Sequence, residues 1–190
     1  MNDWNRIERL SAVAVVIKPV YTETGKATEV ITADGQTLRD ARDVRSVLTA
    51  LFRCYQIDPR AQKTAVKKLL GKQLALPFYL SPERVFIPLK MRQPRAEHDP
   101  VYGYVDLNYI SGIHPAPYNR CRLVLTNGTA VDLSCTRTTA IKSWDCGTQL
   151  VKSLQPQSKK SNLRARVVEV VDAIMERLEF VCQGLEKHWD

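Results

Sequence analysis

The segment "CRLVLTNGTAVDLS", residues 121–134, constrains the fold more than any other. Two alternating apolar and polar runs flank Asn127-Gly128, a pair that tolerates positive φ and suits a two-residue type I′ turn. The segment reads as an antiparallel hairpin. More strands lie upstream. Ser11–Ile17 reads as a buried strand that turns through Thr24-Gly25-Lys26 into Ala27–Thr32, with Asp34-Gly35 closing the unit. In "GKQLALPFYLSPERVFIPLKMR", residues 71–92, the apolar runs Leu74–Leu80 and Val85–Leu89 are each interrupted by a proline. The β-branched and aromatic content of "VYGYVDLNYISGI" predicts one strand from about Tyr102 to Ile110.

Elsewhere the period changes to that of a helix. Val44, Val47, Leu48, Leu51, Phe52 and Tyr55 recur at i, i+3, i+4, i+7, i+8 and i+11, which predicts a helix from Asp40 to about Gln56. Asp58-Pro59 starts a second helix and Gly71 ends it. Its apolar face is expected to be Ala61, Ala65, Leu69 and Leu70, opposite Arg60, Lys63, Lys67 and Lys68. Thr136–Leu154 reads as a third helix with Ile141, Trp144, Thr148 and Val151 on one side, and Thr138 or Thr139 is open between its N-cap and a ligand contact at the helix start. After the linker at 155–161, Leu163–His188 is apolar at helical spacing. The expected architecture is α+β: an antiparallel sheet with packed helices over residues 1–154, then a C-terminal amphipathic helix at 161–188 as a candidate oligomerisation segment.

Function classes narrow by exclusion. The five cysteines never fall in CxxC spacing and read as reduced, mostly buried thiols of a cytoplasmic protein. The N-terminal apolar run Ala12–Ile17 is too short for a signal peptide or a membrane span. No phosphate-cradling loop, dinucleotide fingerprint, zinc-protease motif or nucleophile elbow is present, so no cofactor and no enzymatic activity are expected. His98, His114 and His188 are scattered, and no metal site is expected from them. Asp132, Cys135 and Cys146 leave a thiol nucleophile open, against the commoner role of a free cysteine as a small core residue.

Charge supplies the positive argument. Residues 60–95 hold nine bases and one acid, and outside that window bases and acids cancel, so the window carries the whole formal net charge of +8. Segregated charge of this kind points to a polyanionic partner. The candidate phosphate contacts are Arg60, Lys63, Lys67, Lys68, Lys72, Arg84, Lys90, Arg92 and Arg95, joined by Arg137 and Lys142 from "SCTRTTAIKS".

The order of these elements resembles the ComK family of competence transcription factors. The resemblance covers about residues 53–154 and rests on the basic segment leading into Leu76-Pro77-Phe78, on Phe86-Ile87-Pro88, and on the Asn127-Gly128 hairpin ahead of a helix. It implies a cytoplasmic activator that binds double-stranded, A/T-rich promoter DNA from the minor groove as a homo-oligomer. Tyr102-Gly103-Tyr104-Val105 and Gln62-Lys63 depart from the family pattern, and the family's C-terminal adaptor-binding segment is absent. The alternatives are an RNA-binding protein or a protein–protein adaptor working through its C-terminal helix.

Overall fold

A computed structural model describes residues 6–23, 25–71 and 75–154, together with Val171 and Met175. After a short helix α1 (Ile7–Leu10), strands β1 (Ala14–Thr22), β2 (Gly25–Thr32) and β3 (Thr37–Asp40) form a meander. Helices α2 (Val44–Cys54) and α3 (Pro59–Leu70) follow, then β4 (Phe78–Ser81), β5 (Arg84–Lys90) and β6 (Tyr102–Asp106). These six strands make one antiparallel sheet in the order β3-β2-β1-β6-β5-β4. A 3-10 turn (Leu107–Tyr109) leads into β7 (Ile110–Ala116), β8 (Arg120–Leu125) and β9 (Ala130–Leu133), a second antiparallel sheet. A fourth helix, α4, spans 137–154. The fold class is α+β, as the alternation of the two periods implies.

The chain divides into compact units Met1–Val151 and Lys152–Asp190. In the second, Val171 and Met175 are helical and about half exposed, at 50% and 53%. The rest of the expected C-terminal helix lies outside the described residues. No helix among the described residues is long and apolar enough to cross a membrane.

Both faces of the six-stranded sheet are covered in the first unit. On one face Ile17, Val30 and Phe86 pack against Ile7 of α1 and Val44, Val47 and Leu51 of α2. On the other, Ile87, Leu89 and Val105 pack against Leu123, Leu125 and Val131 of the second sheet and Ala140 of α4. Fully burying each such side chain is worth roughly 1.5–3 kcal/mol. Alternation along β5 decides which residue joins which core, Phe86 to the first and Ile87 to the second. Val15 and Val16 break the alternation and share a core because the β1–β2 register slips between Ala14↔Thr32 and Val16↔Ile31.

The helix boundaries follow local hydrogen bonding. Asp43 caps α2 by accepting from Ser46 N at 2.8 Å, and Asp58 caps α3 by accepting from Arg60 N and Ala61 N at 2.8 and 3.2 Å. Gly71, at φ 62°, ends α3. At α4 the cap is Thr136, whose Oγ1 accepts from Thr139 N at 3.2 Å, in place of the expected Thr138 or Thr139.

Three further expectations are corrected. The strand expected over Tyr102–Ile110 is two strands in two sheets, because the Asp106 carboxylate accepts from Asn108 N at 3.2 Å and starts the 3-10 turn. The β8–β9 hairpin is a three-residue loop: Gly128 N donates to Leu125 O and Leu125 N to Thr129 O, each at 2.9 Å. Gly128 alone takes positive φ, at 83°, so the turn is a type I turn with a glycine bulge. The α3 face is rotated from the expected one, with Gln62 and Val66 buried and Ala61, Ala65 and Leu69 exposed. Gln62 Nε2 donates to Tyr79 O at 2.7 Å and its Oε1 accepts from Tyr79 N at 3.3 Å, so a side-chain amide covers the outer edge of β4.

Candidate nucleic-acid interface

Helix α3 gathers the most concentrated charge. Arg60, Lys63, Lys67 and Lys68 are all exposed, none has an ion-pair partner among the described residues, and α3 itself contains no acid. Four cations within three turns, with the helix held down by Gln62 and Val66, form a surface suited to consecutive phosphates. Lys72 lies outside the described residues.

Arg84 is corrected from a phosphate contact to an internal tie. Its guanidinium donates to Asp106 Oδ2 at 3.2 Å, to Ser11 O at 2.9 Å, to the Tyr55 hydroxyl at 2.7 Å and to Ala14 O at 2.7 Å. It is committed to joining β5, β6, α2 and the entry to β1. Burial pushes the Asp106 carboxyl above its ordinary value despite this partner. Arg92 is also turned inward: its Nε donates to Pro100 O at 2.8 Å and its guanidinium carbon lies 3.9 Å from the Tyr21 ring centroid. Its two terminal nitrogens are buried without a hydrogen-bond partner among the described residues.

Arg95 sits over the same Tyr21 ring at 4.2 Å and remains exposed. Below it the buried Asp99 pairs with Lys26 Nζ at 2.5 Å, accepts from the Tyr21 hydroxyl, and accepts from Arg95 N and Ala96 N at 3.1 and 3.0 Å. The Lys26 ammonium, helped by the Tyr21 hydroxyl and the two amides, holds the Asp99 carboxyl well below the usual carboxylate range. The loop at 94–100 is thereby pinned to β1 and β2. Arg137 is exposed at the start of α4, with its Nε donating to Ile113 O at 2.9 Å.

Lys90 and Lys142 come together in a hollow that the sequence did not reveal. A groove of about 290 Å³ runs between α3 and the sheet, lined by Phe52, Lys63, Pro77, Phe78, Tyr102 and Tyr104 among others. A second hollow of about 180 Å³ shares Ala75, Pro88 and Tyr102 with it and adds Lys90 and Lys142. The register explains the floor: Pro88 opposes Tyr104 and Lys90 opposes Tyr102, so all four lie on one sheet face. Tyr102 and Tyr104, two residues apart, had to share a face.

The cysteines offer no activated thiol among those whose shift is resolved. Burial pushes the Cys121 thiol up to about 12 and raises that of Cys135, so neither is a thiolate at neutral pH. Asp132 is bound to Arg122 at 2.7 Å. Among the described residues no group of three His, Cys, Asp or Glu is placed to hold a metal ion. A larger hollow of about 580 Å³ beside α2 is lined by Glu8 and Arg42, which are bonded to each other.

No family model matches this chain, and no curated protein matches it.

Proposed function

We propose that this chain is a non-enzymatic, DNA-binding transcriptional regulator of the ComK type, acting on A/T-rich promoter DNA in the cytoplasm as a homo-oligomer. The observation that carries the reading is α3: four exposed cations without a carboxylate partner among the described residues, on a helix anchored to the sheet edge. Arg95 and Arg137, both exposed, remain available to enter a narrow A-tract minor groove. The oligomer is supported by the apolar spacing of Leu163–His188 and by the half-exposed Val171 and Met175.

The test is titration of A/T-rich and G/C-rich duplexes at several salt concentrations. If six phosphates are neutralised, the slope of log K against log salt is about −5. Replacing Lys63, Lys67 and Lys68 with Glu abolishes duplex binding and leaves the urea unfolding midpoint in place. Unchanged affinity in a folded triple variant refutes the α3 interface, and equal affinity for both duplexes at every salt refutes the minor-groove preference. Val171→Asp yields a monomer by light scattering if the C-terminal segment self-associates, and an unchanged oligomer removes that claim.

A further inference from the structure

The groove beside α3 and the adjoining hollow beside α4, which share Ala75, Pro88 and Tyr102, together form a groove chemically unlike the rest of the basic face. Its floor is aromatic and proline-rich, with Phe78 in contact with Phe52 and Tyr104 at centroid distances of 5.0 and 5.2 Å. At its centre Tyr102 is 41% exposed, although it is a strand residue opposite Lys90. Lys63 stands at one end and Lys90 and Lys142 at the other, and no Asp or Glu lines it among the described residues. None of the three lysines has an ion-pair partner among the described residues.

A phosphate gains nothing from an apolar floor, and a duplex hides the flat faces of its bases. A planar apolar group carrying negative charge on both sides uses everything the groove offers. We propose that the groove holds an unstacked base of single-stranded nucleic acid against Tyr102, with the flanking phosphates on Lys63, Lys90 and Lys142. This inference rests on the reading that the α3 face binds nucleic acid.

An acidic peptide would answer the same charges, but the backbone contacts an extended peptide needs are already taken. The outer edge of β5 beyond β4 has its Pro88 carbonyl bonded to Ser143 Oγ at 2.6 Å and its Lys90 carbonyl to Ser134 N at 2.7 Å. Gln62 occupies the β4 edge at Tyr79. Strand addition is blocked on both edges that border the groove. Recognition there falls to stacking and charge, the two means by which single strands are held.

The experiment compares a labelled twelve-nucleotide oligo-dT with a duplex by fluorescence anisotropy at several salt concentrations, using the full chain. Tyr102→Ala should weaken single-strand binding by about tenfold or more, the usual effect of losing one stacking platform. Duplex affinity should hold within about twofold, and Tyr102→Trp should retain single-strand binding. Lys90→Gln with Lys142→Gln should reduce the single-strand salt slope by about 1.4, as expected for two phosphates. Circular dichroism and urea midpoints identify any variant that has lost its fold, and the Trp variant then carries the comparison. Single-strand affinity indifferent to Tyr102→Ala in a folded protein overturns the inference. So does duplex binding with no single-strand binding, which leaves the wider reading standing. Binding of neither removes both. Displacement of the oligonucleotide by an acidic, aromatic peptide that binds more tightly assigns the groove to a protein partner and overturns the inference.

Discussion

Arg84 shows how one side chain can look like a ligand contact and be a structural tie. As a base beside the Glu83 turn it reads as exposed, yet its partners lie 22 residues away at Asp106 and 73 and 70 away at Ser11 and Ala14. The Asp106 side chain is 1% exposed, so removing its cation leaves a buried charge alone. Arg84→Met is expected to cost about 3–5 kcal/mol in urea unfolding, the penalty for breaking one side of a buried pair. Adding Asp106→Asn should return part of that loss, because the amide keeps an oxygen for Asn108 N without the charge. Gly147 is a second such position. A Cβ there would fall 2.3 Å from Ile87 Cγ2, in a fully buried contact between α4 and β5. Gly147→Ala should lower stability by about 1–3 kcal/mol through overpacking, offset in part by the roughly 1 kcal/mol helix preference of alanine over glycine. The change in thermal midpoint measures the difference.

Among the elements, α3 matches its sequence pattern in span, caps and charge and departs from it in orientation. Ala61, Ala65 and Leu69 share one helical row, and Gln62, Val66 and Leu70 share the next, about 100° around the axis. Apolar character favoured the first row. The edge of β4 chose the second, because Gln62 supplies both the donor and the acceptor that Tyr79 lacks. Gln62→Ala is expected to cost about 1–3 kcal/mol for the unpaired backbone groups, and to lower hydrogen-exchange protection at the Tyr79 amide. Retained protection at Tyr79 would show that the edge is covered by something other than this side chain. Proline in β5 has a similar explanation. The Pro88 carbonyl points away from β6 toward Ser143, so the absent N–H falls on the same unpaired side and the β5–β6 ladder loses nothing.

At the scale of the whole molecule, acid stability depends on carboxylates held by cations. Arg42 makes a bidentate contact with Glu8 at 2.8 and 2.6 Å and bonds Asp40 at 2.9 and 2.7 Å, joining α1 to the end of β3. The Arg42 guanidinium lowers Glu8. At Asp40 burial pushes upward, and the bonds from the Arg42 side chain and from the Arg42 and Ile7 amides outweigh it. With Asp99, these carboxyls titrate lower in the folded chain than in the unfolded one. Their stabilisation is complete above the ordinary carboxylate range near pH 4 and is lost as pH falls through the folded values. Asp106, raised by burial, contributes with the opposite sign. The urea midpoint should therefore fall between about pH 5 and pH 2, and Arg42→Met should flatten that dependence. An equally steep profile in the variant would place the acid sensitivity elsewhere.

What the amino-acid order determined by itself is what neighbours within about four residues decide. The apolar face of α2, the span of α3 with its Asp58 and Gly71 ends, the β8–β9 hairpin and the concentration of charge at 60–95 are of this kind, whereas the start of α2 moves from the expected Asp40, which ends β3, to Val44. They follow from helical and strand periods and from caps that bond within their own turn. The tertiary structure alone decided which row of α3 is buried, that Arg84 turns inward, and that the strand expected from Tyr102 breaks at Asp106. It also brought Phe52 and Lys63 in one hollow, and Lys90 and Lys142 in the next, to the two sides of Tyr102. Each of these depends on a partner far along the chain, and residue type and spacing specify that a polar group must be satisfied without specifying by whom.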